Sequence, residues 1–128
     1  MKKWLFDTDV LIDYLRGLAP AVNFLEAKFE KVDAYISVIT IAELYAGVKE
    51  GQERQILENF LNIFEVVTLN QDIACIGGIY RRDYVKSHQV GLADALIAAS
   101  SKYLDATLIS LNKKHFPMLK NILVPYKK

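Results

Sequence analysis

Apolar and polar positions along the chain change period several times, and each change marks an element. Trp4, Leu5 and Phe6 form a short apolar run that ends on Asp7, after which Val10, Leu11, Tyr14 and Leu15 fall at helical spacing. A strand feeding a helix is therefore predicted, with Thr8 or Asp9 as the helix cap and Asp13 as a solvated helical residue. A second helix is predicted over residues 20–29, with Val22, Leu25 and Phe29 on one face and Pro20 in its first turn. Residues 34–39 are β-branched and aromatic and read as a buried strand.

Thr40 and Glu43 have the spacing of a capping box, and Ile41, Leu44, Tyr45 and Val48 carry that helix toward Gly51. An amphipathic helix over residues 52–64, a short strand over 66–69 and a long helix from Asn70 to about His88 follow. Gly77 and Gly78 within that helix predict a close approach to a neighbouring element. Residues 93–103 form an Ala-rich helix that must be largely buried. A strand over 106–110, a polar turn over 112–115 and a last short strand over 122–124 complete the chain. Strands alternate with helices throughout, so the pattern predicts one α/β domain over residues 1–128, built on a mostly parallel sheet covered on both faces.

Composition narrows the class. At 128 residues and 52% hydrophobic content, the chain can bury a sizeable core and is not disordered. Its net charge of +1 means that any phosphate ligand must be met by a local basic patch rather than by a global field. The single cysteine, Cys75, allows no internal disulfide; beside Ile73, Ala74 and Ile76 it reads as a small buried hydrophobe, and it fits a reducing compartment. Asp7, Asp9 and Asp13 break the apolar run that a signal peptide would need. Residues 34–42 form one of the longest uncharged runs, far short of the roughly 20 residues of a membrane span. A soluble, cytoplasmic protein without membrane partners is expected.

Three acids stand at junctions between apolar elements: Asp7 after the first strand, Glu43 in a helix after the second, and Asp94 in the first turn of the Ala-rich helix. Singly, each has an ordinary reading: a helix cap, the far half of a capping box, a charge favoured by the helix dipole. Together they would share the carboxyl edge of the sheet, where open α/β folds place their ligands. Converging carboxylates raise one another's pKa unless a cation neutralises them, and hard divalent ions prefer such oxygen ligands. A metal so held lowers the pKa of a bound water and steadies attack on a phosphodiester.

The runs WLFDTDVLI at the start, ISVITIAEL around Glu43, LADALIAA around Asp94 and TLISLN with His115 and Phe116 occur in an order and spacing that strongly resemble a PIN domain. In size the chain is similar to the toxin ribonucleases of VapBC-type toxin–antitoxin pairs. The resemblance covers essentially the whole chain. It implies a three-layer α/β/α sandwich and a Mg²⁺-dependent endoribonuclease acting on tRNA or rRNA, with Mn²⁺ as the alternative ion. It implies catalytic and metal-holding roles for Asp7, Glu43 and Asp94, directly or through water. It further implies a homodimer, and inhibition by a small VapB-type antitoxin that fills the active-site groove. Thr8 and Ser110 match small hydroxyl positions that orient a ligand or water. Asp9 stands where the family often has Asn or Ser, and either adds a carboxylate near the metal or only caps the helix. Asn112 stands where many relatives have a fourth acid, which leaves a second metal site in question.

Other polar residues carry weaker signals. Lys113, Lys114 and His115 are expected at the pocket rim, as a solvated turn or as contacts to RNA phosphate. Arg81, Arg82 and Lys86 share a helix with Asp83 and read mainly as a solvated face. His88 and His115 have no partner at metal-ligand spacing, and Arg16 follows the first helix near the pocket. A haloacid-dehalogenase reading of the Asp7-Thr8-Asp9 stretch fails at Leu11, where that motif needs Thr or Val. A receiver domain fails because no acceptor Asp lies between Glu43 and Asp72. The non-enzymatic rival is a catalytically weak PIN-fold module that binds RNA or protein; intact Asp7, Glu43 and Asp94 argue against it, and the missing acid at Asn112 keeps it open.

Overall fold

The computed structural model describes residues 1–128. Five strands, β1 (Lys3–Phe6), β2 (Asp33–Ser37), β3 (Glu65–Val67), β4 (Thr107–Ile109) and β5 (Ile122–Leu123), form one sheet in the order β3-β2-β1-β4-β5. Every pairing is parallel. Six helices connect them: α1 (Thr8–Leu15), α2 (Ala19–Lys28), α3 (Val38–Ala46), α4 (Gln52–Leu61), α5 (Gln71–His88) and α6 (Leu92–Leu104). Single 3-10 turns occupy Phe29–Lys31 and Lys113–His115, the second where a polar turn is predicted.

Alternation along the strands sorts the core into two layers. Phe6, Ala34, Ile36 and Ile109 point to one face and pack with Val10, Leu11, Leu25, Leu44, Leu57 and Phe60 from α1 to α4. Leu5 and Leu108 point to the other and pack with Ile73 of α5 and Ile97, Ala98 and Ala99 of α6. Neighbours in sequence thus serve opposite layers, as the two-residue period of a strand requires. The result is the expected α/β/α sandwich. No helix is long and apolar enough to cross a membrane.

Several local expectations are corrected. The first helix is capped by neither Thr8 nor Asp9 but by Asp7, which is extended and accepts the Thr8 N–H through Oδ1 at 2.8 Å. Residues 38 and 39 are helical, because Ser37 ends β2 and caps α3 by accepting the Ile39 N–H. The capping box of Thr40 and Glu43 is therefore not formed: both lie inside α3, and their side chains are released for other work. Helix α4 stops at Leu61, three residues short of Phe64, which packs into the core from the following turn. Cys75 is exposed rather than buried, since the inward stripe of α5 runs through Ile73 and Gly77. Of the glycine pair only Gly77 meets a neighbour. A Cβ there would lie 2.7 Å from Cδ2 of Leu96, whereas one on Gly78 would meet open space.

The topology fixes where chemistry can sit. From β1 the chain steps outward to β2 and β3, then returns to the opposite side of β1 as β4 and β5. Strand order reverses between β1 and β4, which opens a crevice beyond their carboxyl ends. Asp7 follows β1 and Ser110 follows β4, and the Asp7 N–H donates to the Ile109 carbonyl at 2.9 Å, so the two strand ends are tied together at that crevice.

Candidate active site

Asp7 is the innermost group of the site, only 6% exposed. Its Oδ1 accepts the Thr8 N–H and its Oδ2 accepts the Ser110 hydroxyl at 2.7 Å. Each oxygen retains a lone pair. Burial pushes its carboxyl up to about 7, and the charges of Asp9 and Asp94 push the same way against the two hydrogen bonds. No basic side chain contributes to that balance. An anion here is unpaired by the protein's own cations.

Asp9 is turned to structure. Its Oδ1 accepts the Val10 N–H at 2.7 Å, and its Oδ2 accepts the Leu111 N–H at 3.0 Å. It therefore buckles α1 to the segment after β4, a larger role than capping alone. Its carboxyl is raised, mainly by burial.

Glu43 projects from the second turn of α3 and is exposed on its outer side. Thr8 donates its hydroxyl to Glu43 Oε1 at 2.6 Å and lies 3.1 Å from the Thr40 hydroxyl. Thr8 has one proton and the carboxylate can only accept, so the proton between the two threonines comes from Thr40. Thr40 is fully buried. Its spacing from Glu43 predicts only a capping role; that same three-residue spacing, which puts both on one helix face, is the signal for the contact.

Asp94, in the first turn of α6, adds its charge to the field at Asp7, and the His115 Nδ1 lies 3.4 Å from its Oδ2. His115 is thus part of the acidic pocket and not only of its rim. Asn112 is exposed, and its N–H donates to the Ser110 hydroxyl oxygen at 3.0 Å, so its backbone helps to orient Ser110. Lys113 and Lys114 are solvent-facing. Arg82 pairs with Asp83 on an exposed face of α5, as expected of a solvated surface.

Hydrogen bonds thus tie Asp7 to Ser110 and Glu43 to Thr8, the residue that follows Asp7, while Asp94 acts on Asp7 through its charge. No three His, Cys, Asp or Glu side chains are grouped closely enough to hold a metal ion between them. The oxygen-only donors and the strained ionisation of Asp7 nevertheless suit a hard divalent cation, which would supply the positive charge that Asp7 lacks. Beside Glu43 runs a groove of about 450 Å³ between α1, α3 and α4, walled by Ile12, Leu15, Val48 and Ile56 and carrying Arg16 and Lys49.

A model of the PIN domain matches residues 4–120. Ribonuclease VapC19 of Mycobacterium tuberculosis is 39% identical over 127 residues, covering 95% of this chain and 98% of that protein. Ribonuclease VapC1 of Methanocaldococcus jannaschii is 33% identical over 92% of this chain and 82% of its own length. Among solved structures, a chain of a toxin–antitoxin complex from Klebsiella pneumoniae superposes with a TM-score of 0.83 at 31% identity, covering 97% of this chain and 98% of that one. By the extent of these matches and by its fold, the chain belongs to the PIN-domain family.

Proposed function

We propose that this protein is a divalent-metal-dependent endoribonuclease, the toxin of a toxin–antitoxin pair, with tRNA or rRNA as its substrate. The observation that carries the reading is Asp7: a buried carboxyl beside two more acids, with no basic side chain to balance them. Such an arrangement destabilises the empty site and favours a cation. The names of the relatives, ribonucleases of the VapC type, point to the same chemistry.

Asp7 and Asp94 would hold Mg²⁺ or Mn²⁺, with Glu43 bound directly or through water; the ion would supply Lewis acidity and lower the pKa of a bound water. The chain's own residues do the positioning. Ser110 and the Thr8 N–H fix both oxygens of Asp7, and Thr8, backed by Thr40, fixes Glu43. Pre-set hydrogen bonds of this kind leave little reorganisation for the transition state. Water attacks phosphorus, the P–O3′ bond breaks, and the products carry 5′-phosphate and 3′-hydroxyl ends. Lys113, Lys114 and His115 stand on the solvent side of the crevice, where RNA phosphates approach. The groove beside Glu43 suits an apolar antitoxin segment, and exposed Ile79, Leu92 and Tyr103 offer apolar surface to a second copy in a homodimer.

Cleavage of a mixed tRNA and rRNA pool tests this reading. Discrete fragments are expected with Mg²⁺ or Mn²⁺ and none with chelator. Asp94→Asn should lose cleavage by about 100-fold or more while remaining folded, since it removes a charge from a partly exposed position. An active, folded Asp94→Asn protein would overturn the assignment. Absence of both cleavage and metal binding in the wild type would favour the binding module.

A further inference from the structure

Helix α1 carries the most demanding part of the site, yet it is only eight residues long. A helix so short is marginal by itself, and its orientation is set by what it touches. At its start the ties are those of the pocket: Asp7 to Ser110, Thr8 to Glu43, Asp9 to Leu111. One and a half turns further on stands Asp13, a charged residue only 4% exposed and not the solvated position its sequence suggests. Both of its oxygens are taken by a segment 113 and 115 residues away: the Tyr126 hydroxyl donates to Oδ2 at 2.8 Å and the Lys128 ammonium to Oδ1 at 3.0 Å.

The path of that segment explains the contact. Strand β5 ends at the same edge of the sheet as β1, and the chain then turns back past β4 to reach α1. Tyr126 packs its ring against the core layer beneath α1. Its phenol is held well above the usual range by burial, then by the Asp13 hydrogen bond and the charges of Asp13 and Asp9, so it remains a donor.

We propose that Tyr126 and Lys128 form a clip that positions the acidic pocket: by holding Asp13 they fix α1, and with it Asp7 and Asp9, in the geometry cleavage needs. Tyr126 is the principal positioning residue, because the Lys128 side chain is 57% exposed and shares its charge with solvent. The proposal rests on the nuclease reading above. It assigns a role in turnover to a segment that contributes no group to the crevice.

The test compares wild type, Tyr126→Phe, Lys128→Met and Lys128→Arg in RNA cleavage and in amide hydrogen exchange. Tyr126→Phe is expected to lower kcat about tenfold with KM within about twofold, the pattern of lost positioning rather than lost binding. Exchange should quicken selectively in α1, with β1 and α6 unchanged. Lys128→Met should show a smaller loss that Lys128→Arg restores. Wild-type kcat in Tyr126→Phe would overturn the proposal, as would a loss matched by faster exchange throughout the molecule. Asp94→Asn run alongside separates the two readings. If it behaves as wild type does, the nuclease assignment fails, and exchange alone then decides the clip: selective loss of α1 protection supports it, unchanged protection overturns it.

Discussion

Asp7→Asn is expected to raise the melting temperature of the metal-free protein at pH 8 while abolishing RNA cleavage. The carboxyl is ordinary in the unfolded chain, near 3.8, and pushed up to about 7 in the fold. The folded state therefore binds the proton more tightly than the unfolded state does. Stability contributed by that proton is present at low pH and is lost as pH rises from about 4 through about 7. Above that window the protein carries the full penalty of a buried, unpaired anion, roughly 4 kcal/mol. Asparagine has the shape of the protonated acid and escapes the penalty. Its amide also suits Ser110, whose hydroxyl can rotate to accept where it now donates.

A gain on the order of 5–15 °C follows for a chain of this size. Differential scanning calorimetry across pH checks it: the advantage of Asp7→Asn should shrink steadily between pH 7 and pH 4. Mg²⁺ should raise the melting temperature of the wild type and leave the variant unmoved. A variant less stable than wild type at pH 8 would contradict the account of the site's electrostatics. The expectation is an instance of a general trade between stability and activity, in which the group that does the chemistry is the one the fold tolerates least.

Phe116→Ala should have the opposite effect on stability, and a larger one than any surface change. Phe116 is 1% exposed in the layer formed with α5 and α6, and it immediately follows the 3-10 turn that carries His115 to Asp94. Removing a buried aromatic ring costs about 3–5 kcal/mol through lost transfer energy and the cavity left behind. Against a typical total of about 5–15 kcal/mol, that is a large share. Urea unfolding should show the loss as a lowered midpoint with little change in slope. Phe116→Leu, which keeps most of the volume, should lose far less. Cleavage by the folded fraction of Phe116→Ala should also weaken, because Asn112 and His115 hang from the anchor it removes.

The layers of the fold were legible because each strand carries its own alternation and each helix its own apolar stripe. Leu5 and Phe6 already announce opposite faces, and the Ala-rich run around Ala98 announces a buried helix. Asp7 and Asp94 were legible as candidates because one follows a strand and the other opens a helix of a parallel sheet, whereas Glu43 lies in the second turn of α3 rather than at its start. Cap assignments were not. Ser37 and Thr40 are both good capping residues, and only the length of β2 decides between them. Cys75 was misread because its apolar neighbours Ile73 and Ile76 lie on a stripe that the cysteine itself just misses. Asp13 and Tyr126 were invisible to any local pattern: a buried acid can only be recognised with its partner, and that partner lies 113 residues away.

Calorimetric titration of Mg²⁺ into the protein, in buffers of different ionisation enthalpy, tests the central claim most directly. A divalent cation that relieves Asp7 must displace its proton wherever that proton is bound. Release of about one proton per ion is expected at pH 6 and almost none at pH 8.5, with none at either pH in Asp7→Asn. Binding without proton release at pH 6, or with equal release from Asp7→Asn, would contradict the assignment of Asp7 as the acid that the metal satisfies.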